Sequence, residues 1–181
     1  MRGVGLILLG AGAGTALVGA VLGIVAWQGQ EAARAEWDTQ VPVESAVGAG
    51  SEMTRISFPA QGAEFFVSEG ATKKNLLFGP VRVTQSSVPG GKGNCIIAAH
   101  RDTHFRMLRK VKKDEPIVLE HGGQTYRYRI TALHVVGARD NTYYQTTSVP
   151  VLTLVTCYPF SYLGRAPKRF IVQAELLAPG S

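Results

Sequence analysis

The sequence contains little cysteine, little proline and few charged side chains. Two cysteines and nine prolines among 181 residues are too few for a disulfide-dense scaffold or a collagen-like chain. Charged residues make up only 18% of the sequence, but hydrophobic residues make up 45%, which excludes a disordered chain. No internal repeat is present either. These absences leave one ordinary folded domain with appendages, because a chain of this length is too short for two full-sized domains.

Charge is distributed unevenly along the chain. Residues 1–54 carry two basic and five acidic side chains, whereas residues 55–181 carry seventeen basic and eight acidic ones. The first region therefore has a net charge of −3 and the second a net charge of +9. This asymmetry indicates that the two regions occupy different environments.

The amino-terminal region contains a long run without ionisable side chains, from Gly3 to Gln30. About 20 apolar residues are needed to cross the hydrocarbon core of a bilayer, and residues 4–27 meet that length. A cleaved signal peptide is the alternative, although its apolar core is usually only about 7–15 residues long. Arg2 before the run favours a cytoplasmic amino terminus. We therefore expect a single-pass anchor in the cytoplasmic (inner) membrane, with the remainder of the chain extracytoplasmic, or periplasmic.

The predicted anchor divides the chain into four parts. Residues 1–3 are a cytoplasmic stub, and residues 4–27 are the transmembrane signal-anchor. Residues 28–54 combine a short juxtamembrane helix with a linker of Pro, Gly, Ser and Ala. Residues 55–178 are the folded domain, a length that suffices for one hydrophobic core.

Beyond residue 55 the hydrophobic pattern has the period of two that is typical of β-strands. Seven strands are predicted, at 55–59, 64–67, 94–99, 115–120, 124–136, 151–156 and 169–176. A hairpin turn is predicted at His121–Gln124, where two glycines stand in the centre. Short helices are predicted at 71–78 and 105–111. Because closing a barrel removes exposed sheet edges, these strands, taken as antiparallel, predict an all-β barrel with short helices.

Three strand ends carry side chains that can act together in catalysis. One apolar strand ends in His100, a second ends in Cys157, and a third begins with Arg169. Rigid strand ends hold such side chains in place and leave them open to solvent. Cysteine attacks as its thiolate, which a nearby base or cation favours, whereas arginine can only donate hydrogen bonds or stabilise an oxyanion. The pattern predicts a nucleophile, an acid–base group and an electrophilic clamp.

Other residues of the same types have structural interpretations. Cys95 lies within an apolar strand and is interpreted as a core residue, and a disulfide between Cys95 and Cys157 is not expected. Arg165 is the rival of Arg169, because it lies in a Gly- and Pro-containing loop after Cys157. The remaining histidines are expected at the surface or in turns: His104, His121 and His134.

These segments resemble the sortases, a family of membrane-anchored cysteine transpeptidases. TLVTC at 153–157 matches the family's TLxTC motif around the nucleophile, and RFIV at 169–172 matches its arginine-bearing strand. AAH at 98–100 matches the strand-end histidine, although the family usually has glycine where this chain has Ala99. The resemblance covers nearly all of residues 55–178 and points most to class D and to the Gram-negative class.

The resemblance implies an eight-stranded β-barrel and recognition of an LPxTG-like sorting signal near the carboxy terminus of substrate proteins. Cys157 would form a thioester with the substrate, His100 would move protons, and Arg169 would hold the oxyanion with support from Thr156. An amine of the cell wall, another protein or a lipid would then accept the acyl group. The alternatives are a membrane-anchored cysteine peptidase or amidase, and a non-enzymatic β-domain of the envelope.

No cofactor and no metal are predicted, since the acidic residues form no cluster that resembles a calcium site. The basic stretch at 101–113 could suggest nucleic-acid binding. Aromatic residues are sparse within that stretch, and the domain is expected outside the cytoplasm. We therefore interpret it as a solvated or lipid-facing surface and expect no nucleic-acid partner.

Overall fold

The structure is a computed structural model that describes residues 3–39 and 53–178, with side-chain surroundings for residues 18–37 of the first stretch. Eight strands pair in the closed order β1-β2-β3-β4-β7-β8-β6-β5. Their bounds are Thr54–Phe58 (β1), Ala63–Glu69 (β2), Val81–Arg82 (β3), Asn94–Ala98 (β4), Pro116–His121 (β5), Gln124–Gly137 (β6), Val151–Tyr158 (β7) and Lys168–Leu176 (β8). The predicted eight-stranded barrel with few helices is confirmed.

The helices of the described chain are mostly short. The α-helices are Gly3–Thr39 (α1) and Lys73–Phe78 (α2), and 3₁₀ helices lie at Pro59–Gln61, His104–Lys110 and Thr142–Tyr144. Thr72 caps α2, because its side chain accepts a hydrogen bond from the backbone N–H of Asn75 at 3.1 Å. The helix predicted at 105–111 is also present, but it is a 3₁₀ helix that starts one residue earlier, at His104.

Not all strand pairs are antiparallel, which corrects the expectation from the sequence. β2 pairs with β3 in parallel, and β4 pairs with β7 in parallel. The missed strand, Val81–Arg82, is only two residues long, so it carries no alternating pattern. Because parallel strands run in one direction, the carboxyl ends of β4 and β7 meet at the same rim of the barrel.

The hairpin between β5 and β6 turns at Gly122 and Gly123, as predicted. Their φ angles are 57° and 73°, the left-handed values at both central positions that a two-residue type I′ turn requires. This turn sets the register that pairs Ile117 with Tyr128 and Leu119 with Tyr126. Ile117, Leu119 and Tyr128 are buried, and they pack in the barrel core with residues of β1, β4, β7 and β8.

Helix α1 contacts the barrel through its carboxy-terminal half. The side-chain amide of Gln30 donates to Phe66 O and Phe78 O, at 3.2 and 3.1 Å, and accepts from Phe66 N at 2.7 Å. Phe66 lies in the part of β2 that β3 does not pair with, so Gln30 satisfies backbone groups that would otherwise be an open edge. The Arg34–Glu64 ion pair and the Trp37–Phe66 ring contact extend the same interface.

The predicted membrane span at 4–27 coincides with the first part of α1. In the described part of the chain, we find no helix with enough length and apolar character to cross a bilayer, so the span is not confirmed. Residues 1–2 and most of the predicted linker, 40–52, lie outside the described residues. The division of the chain into a stub, an anchor, a linker and a domain stays a prediction.

Candidate active site

The three predicted site residues lie in one row across adjacent strands. Cys157 on β7 is directly opposite Arg169 on β8, and side chains opposite one another in a pair project from the same face. On its other side β7 pairs with β4, with Ala98 opposite Val155. Continuing that register by two residues places His100 beside Cys157. The order of the row is therefore histidine, cysteine, arginine.

The end of β4 is tied to β7 by two hydrogen bonds beside this row. The N–H of Ala99 donates to Val155 O at 3.2 Å, and the hydroxyl of buried Thr156 donates to Ala99 O at 2.8 Å. The single proton of the Thr156 hydroxyl is thus engaged with the residue before His100. Support of the oxyanion by Thr156 stays a prediction, whereas its contact with Ala99 positions the strand end that carries His100.

Arg169 is held by the backbone at the start of its own strand. Its Nη1 donates to Lys168 O at 3.0 Å and to Ala166 O at 3.3 Å. Among the described residues no partner is recorded for its Nη2 or Nε atoms. Two donor groups of a permanently charged guanidinium are therefore available for an oxygen of a bound substrate.

A cavity of about 350 Å³ opens at the row. His100, Cys157 and Arg169 line it together with residues after β4 and residues of the loop at 159–167, which we call the β7–β8 loop. Arg165, the rival arginine, also lines this cavity, but it lies in that loop and not opposite the cysteine. The cavity therefore brings together all three predicted residues.

The two cysteines have different surroundings, and both are free thiols. Cys95 is 1% exposed in the barrel core, and burial raises the pKa of its thiol to about 12, so it is not a nucleophile near neutral pH. Cys157 is half-buried and faces the cavity. The interpretation of Cys95 as a core residue is confirmed.

Sequence reasoning missed Tyr144, which lies close enough to interact electrostatically with Cys157 and Arg169. Burial raises the pKa of Tyr144, the Cys157 thiol acts in the same direction and Arg169 opposes them. Buried Asn94 holds this tyrosine in place, since its Nδ2 donates to Tyr143 O and to Gln145 O at 2.9 and 3.1 Å. The sequence gives no sign of this arrangement, because Tyr144 lies in a polar loop fifty residues after Asn94.

His104 is not a surface residue, and the expectation from the sequence was wrong. It is 7% exposed because the 3₁₀ helix turns its ring inward against Phe65, with ring centroids 5.6 Å apart. The ring bonds the backbone of Ala26 in α1, and its Nδ1 lies 3.1 Å from Thr103 Oγ1. A neutral ring with a proton on Nε2 satisfies both partners, as donor to Ala26 O and acceptor from Thr103.

We expect the protein to lose stability in acid through His104. Burial first, and then the electrostatic influence of His100, lower the pKa of His104 to about 4, below its value of about 6.5 in an unfolded chain. Between these two pH values His104 is protonated in the unfolded chain but neutral in the folded chain. The free energy of unfolding therefore falls as the pH decreases from 6.5 to 4. The loss should be about 3 kcal/mol.

Urea unfolding at a series of pH values measures this loss. His104→Gln keeps a donor for the Ala26 carbonyl but cannot titrate, so its free energy of unfolding should vary less with pH over that window. Equal slopes for the variant and the parent protein would contradict this assignment.

The site chemistry defines a class of protein, a small β-barrel with an accessible thiol, an imidazole and a guanidinium on one rim. Such an arrangement can form a thioester, transfer a proton to the departing group and stabilise the tetrahedral oxyanion. Among the described residues, no group of three or more His, Cys, Asp or Glu side chains is arranged to hold a metal ion.

Comparison with known proteins gives the family. The family model for the sortase domain matches residues 56–177. Sortase D of Bacillus subtilis (strain 168) is 33% identical over 122 residues, which are 66% of this chain and 61% of that protein. Sortase A of Listeria monocytogenes is 30% identical over 125 residues, 67% of this chain and 54% of that protein. The chain therefore aligns with little more than half of the length of these curated relatives.

Solved structures agree with this result. A Sortase D5 transpeptidase from Clostridium perfringens superimposes with a TM-score of 0.67 at 22% identity, covering 85% of this chain and 99% of that one. The catalytic domain of SrtD from Bacillus anthracis superimposes with a TM-score of 0.61 at 31% identity, covering 77% and 97%. The chain belongs to the sortase family, and its predicted resemblance to class D is confirmed.

Proposed function

We propose that this chain is a cysteine transpeptidase that cleaves an LPxTG-like sorting signal and transfers the substrate protein to an amine. The row of His100, Cys157 and Arg169 at the mouth of one cavity carries the proposal. Its support is chemical, because acyl transfer through a thioester requires a nucleophile, a proton carrier and an oxyanion donor on the same side of the substrate.

In the proposed reaction, the Cys157 sulfur attacks the carbonyl carbon of the threonine in the signal. As the carbon–sulfur bond forms, the thiol proton passes to His100. The carbon–nitrogen bond to the next residue then breaks, and His100 delivers that proton to the departing amine. The acceptor amine then attacks the thioester and gives a proton to His100, a new amide bond forms as the carbon–sulfur bond breaks, and His100 passes the proton to the departing sulfur to restore the thiol. The free donors of Arg169 stabilise the oxyanion in both steps.

We further propose that residues 4–27 anchor the protein in the cytoplasmic membrane, with the barrel on the extracytoplasmic or periplasmic side. The support is the exposure of large apolar side chains in this part of α1: Val18, Val21, Leu22, Ile24 and Trp27. Exposed apolar surface of this kind is stable in lipid or against another helix. Sedimentation with membranes after carbonate extraction tests the anchor, and release into the soluble fraction would oppose it.

Incubation of the full chain with LPxTG-like peptides and a panel of amines tests the reaction. The expected result is a peptide–amine product, detected by mass spectrometry, that depends on the acceptor concentration. Cleavage without amine incorporation at any acceptor concentration would instead support a cysteine peptidase. Absence of cleavage, together with a Cys157 thiol that resists mild alkylation, would support a non-enzymatic envelope domain.

A further inference from the structure

The arginine that follows the site histidine is buried and faces the β7–β8 loop. Arg101 is 7% exposed, and its guanidinium donates to three backbone carbonyls of that loop. Nη1 lies 3.1 Å from Pro159 O, and Nη2 lies 2.6 Å from Tyr162 O and 3.4 Å from Gly164 O. The guanidinium carbon also lies 5.8 Å from the centre of the Tyr162 ring.

The β7–β8 loop has few other polar contacts. Within the described part of the chain, every recorded hydrogen bond to the backbone of residues 159–165 comes from the side chain of Arg101. Residues 161–165 are exposed, and Leu163 among them is 98% exposed. Arg101 therefore bonds the middle of the loop, whereas Arg169 and the backbone of Ala138 bond its last two residues.

The same loop forms a wall of the cavity at Cys157. Gly164, Arg165 and Ala166 line it together with His100, so a peptide bound in this cavity would contact the loop. A loop that is already ordered spares the substrate the entropic cost of ordering it. Order in this loop therefore translates into affinity for the peptide.

We propose that Arg101 is a positioning residue, which fixes the β7–β8 loop as the wall of the Cys157 cavity and thereby sets the affinity for the peptide substrate. The proposal rests on the proposed function for its substrate. Arginine suits this role because its planar fork reaches separate acceptors at once, whereas the single ammonium of lysine cannot reproduce that geometry. Its contact with Asp102 Oδ1, at 3.3 Å, leaves both terminal nitrogens for the loop.

Loop order is measured first, without substrate. In Arg101→Gln we expect trypsin to cut after Arg165 about 10-fold faster than in the parent chain, while the melting temperature of the barrel changes little. Arg106→Gln is the matched control, because Arg106 is an exposed arginine of the same segment without a recorded contact to the loop. It should behave as the parent chain does.

Kinetics then separate positioning from a general loss of structure. Arg101→Gln should raise KM for the sorting peptide about 10-fold and leave kcat within about twofold, since the reacting groups are unchanged. The rate at which iodoacetamide alkylates Cys157 should also stay the same, because this small reagent needs no ordered wall. Arg101→Lys, which keeps the charge but not the fork, should resemble Arg101→Gln in both trypsin cleavage and KM.

Three results would overturn the proposal: unchanged trypsin cleavage in Arg101→Gln, parent-like behaviour of Arg101→Lys, or a fall in kcat that parallels a loss of alkylation. If Arg101→Gln does not fold, Arg101→Lys decides in the same way. Trypsin cleavage of the loop and alkylation of Cys157 need no sorting peptide. A parent chain that transfers no peptide would therefore contradict the proposed function, while the trypsin experiment would still decide whether Arg101 holds the loop.

Discussion

Replacing Cys157 with alanine should abolish the covalent adduct between the protein and an LPxTG-like peptide. The thioester needs the sulfur at this position, because the other thiol is buried in the core with a pKa raised to about 12. Transfer of the peptide to an amine should fall by at least about 10³-fold, as expected when a nucleophile is removed. Intact-mass measurement of the acyl-enzyme and chromatography of the transfer product provide the two readouts.

Cys95→Ala is the matched control for this experiment. It removes the other cysteine of the chain and leaves a small cavity, so it should reduce stability modestly but keep both the adduct and the transfer. An adduct that persists in Cys157→Ala and disappears in Cys95→Ala would reverse the assignment of the nucleophile.

Replacing Arg169 with glutamine should lower kcat/KM for peptide transfer by about 10²- to 10³-fold, the usual effect of losing one oxyanion donor. The cause is the pairing of Arg169 with Cys157 across β7 and β8, which places the guanidinium beside the oxygen of the carbonyl that the sulfur attacks. Alkylation of Cys157 by a small reagent should continue, because that reaction develops no carbonyl oxyanion. Stopped-flow acylation and iodoacetamide kinetics measure the two effects.

Arg165→Gln separates the two arginines of the cavity. Both side chains line the site, but Arg165 lies in the exposed loop and is not opposite the nucleophile. We expect its loss to change kcat/KM by less than about 10-fold. A larger effect at Arg165 than at Arg169 would show that the loop residue, and not the strand residue, supports the oxyanion.

The alternation of residues along the strands was enough to predict most of the barrel. The patterns near Asn94, Gln124 and Val151 are strong, and the corresponding strands begin at these residues. Strand Val81–Arg82 was missed because its two residues are too few to show a period. The parallel pairing of β4 and β7 was missed because the relative direction of these strands depends on a connection of more than fifty residues. The local hydrophobic pattern does not determine that direction.

The site residues that could be predicted are those whose type and position in the sequence already indicate a catalytic role. His100, Cys157 and Arg169 stand at strand ends, where rigid backbone meets solvent, and the structure brings them to one cavity. His104 was misplaced because its burial depends on α1, which packs against it from a distant part of the sequence. Arg101 appeared as one more member of a basic stretch, since only the folded loop supplies the carbonyls that distinguish it.

The parallel contact between β4 and β7 has a practical consequence. Opening the chain at the Gly122–Gly123 turn would divide the barrel into two fragments, one with His100 and the other with Cys157 and Arg169. Neither fragment alone would hold the full set of reacting groups, whereas their reassembly would rebuild the interfaces of β4 with β7 and of β5 with β6. The fold thus offers a natural point for a split reporter, in which turnover signals that two fused partners have met.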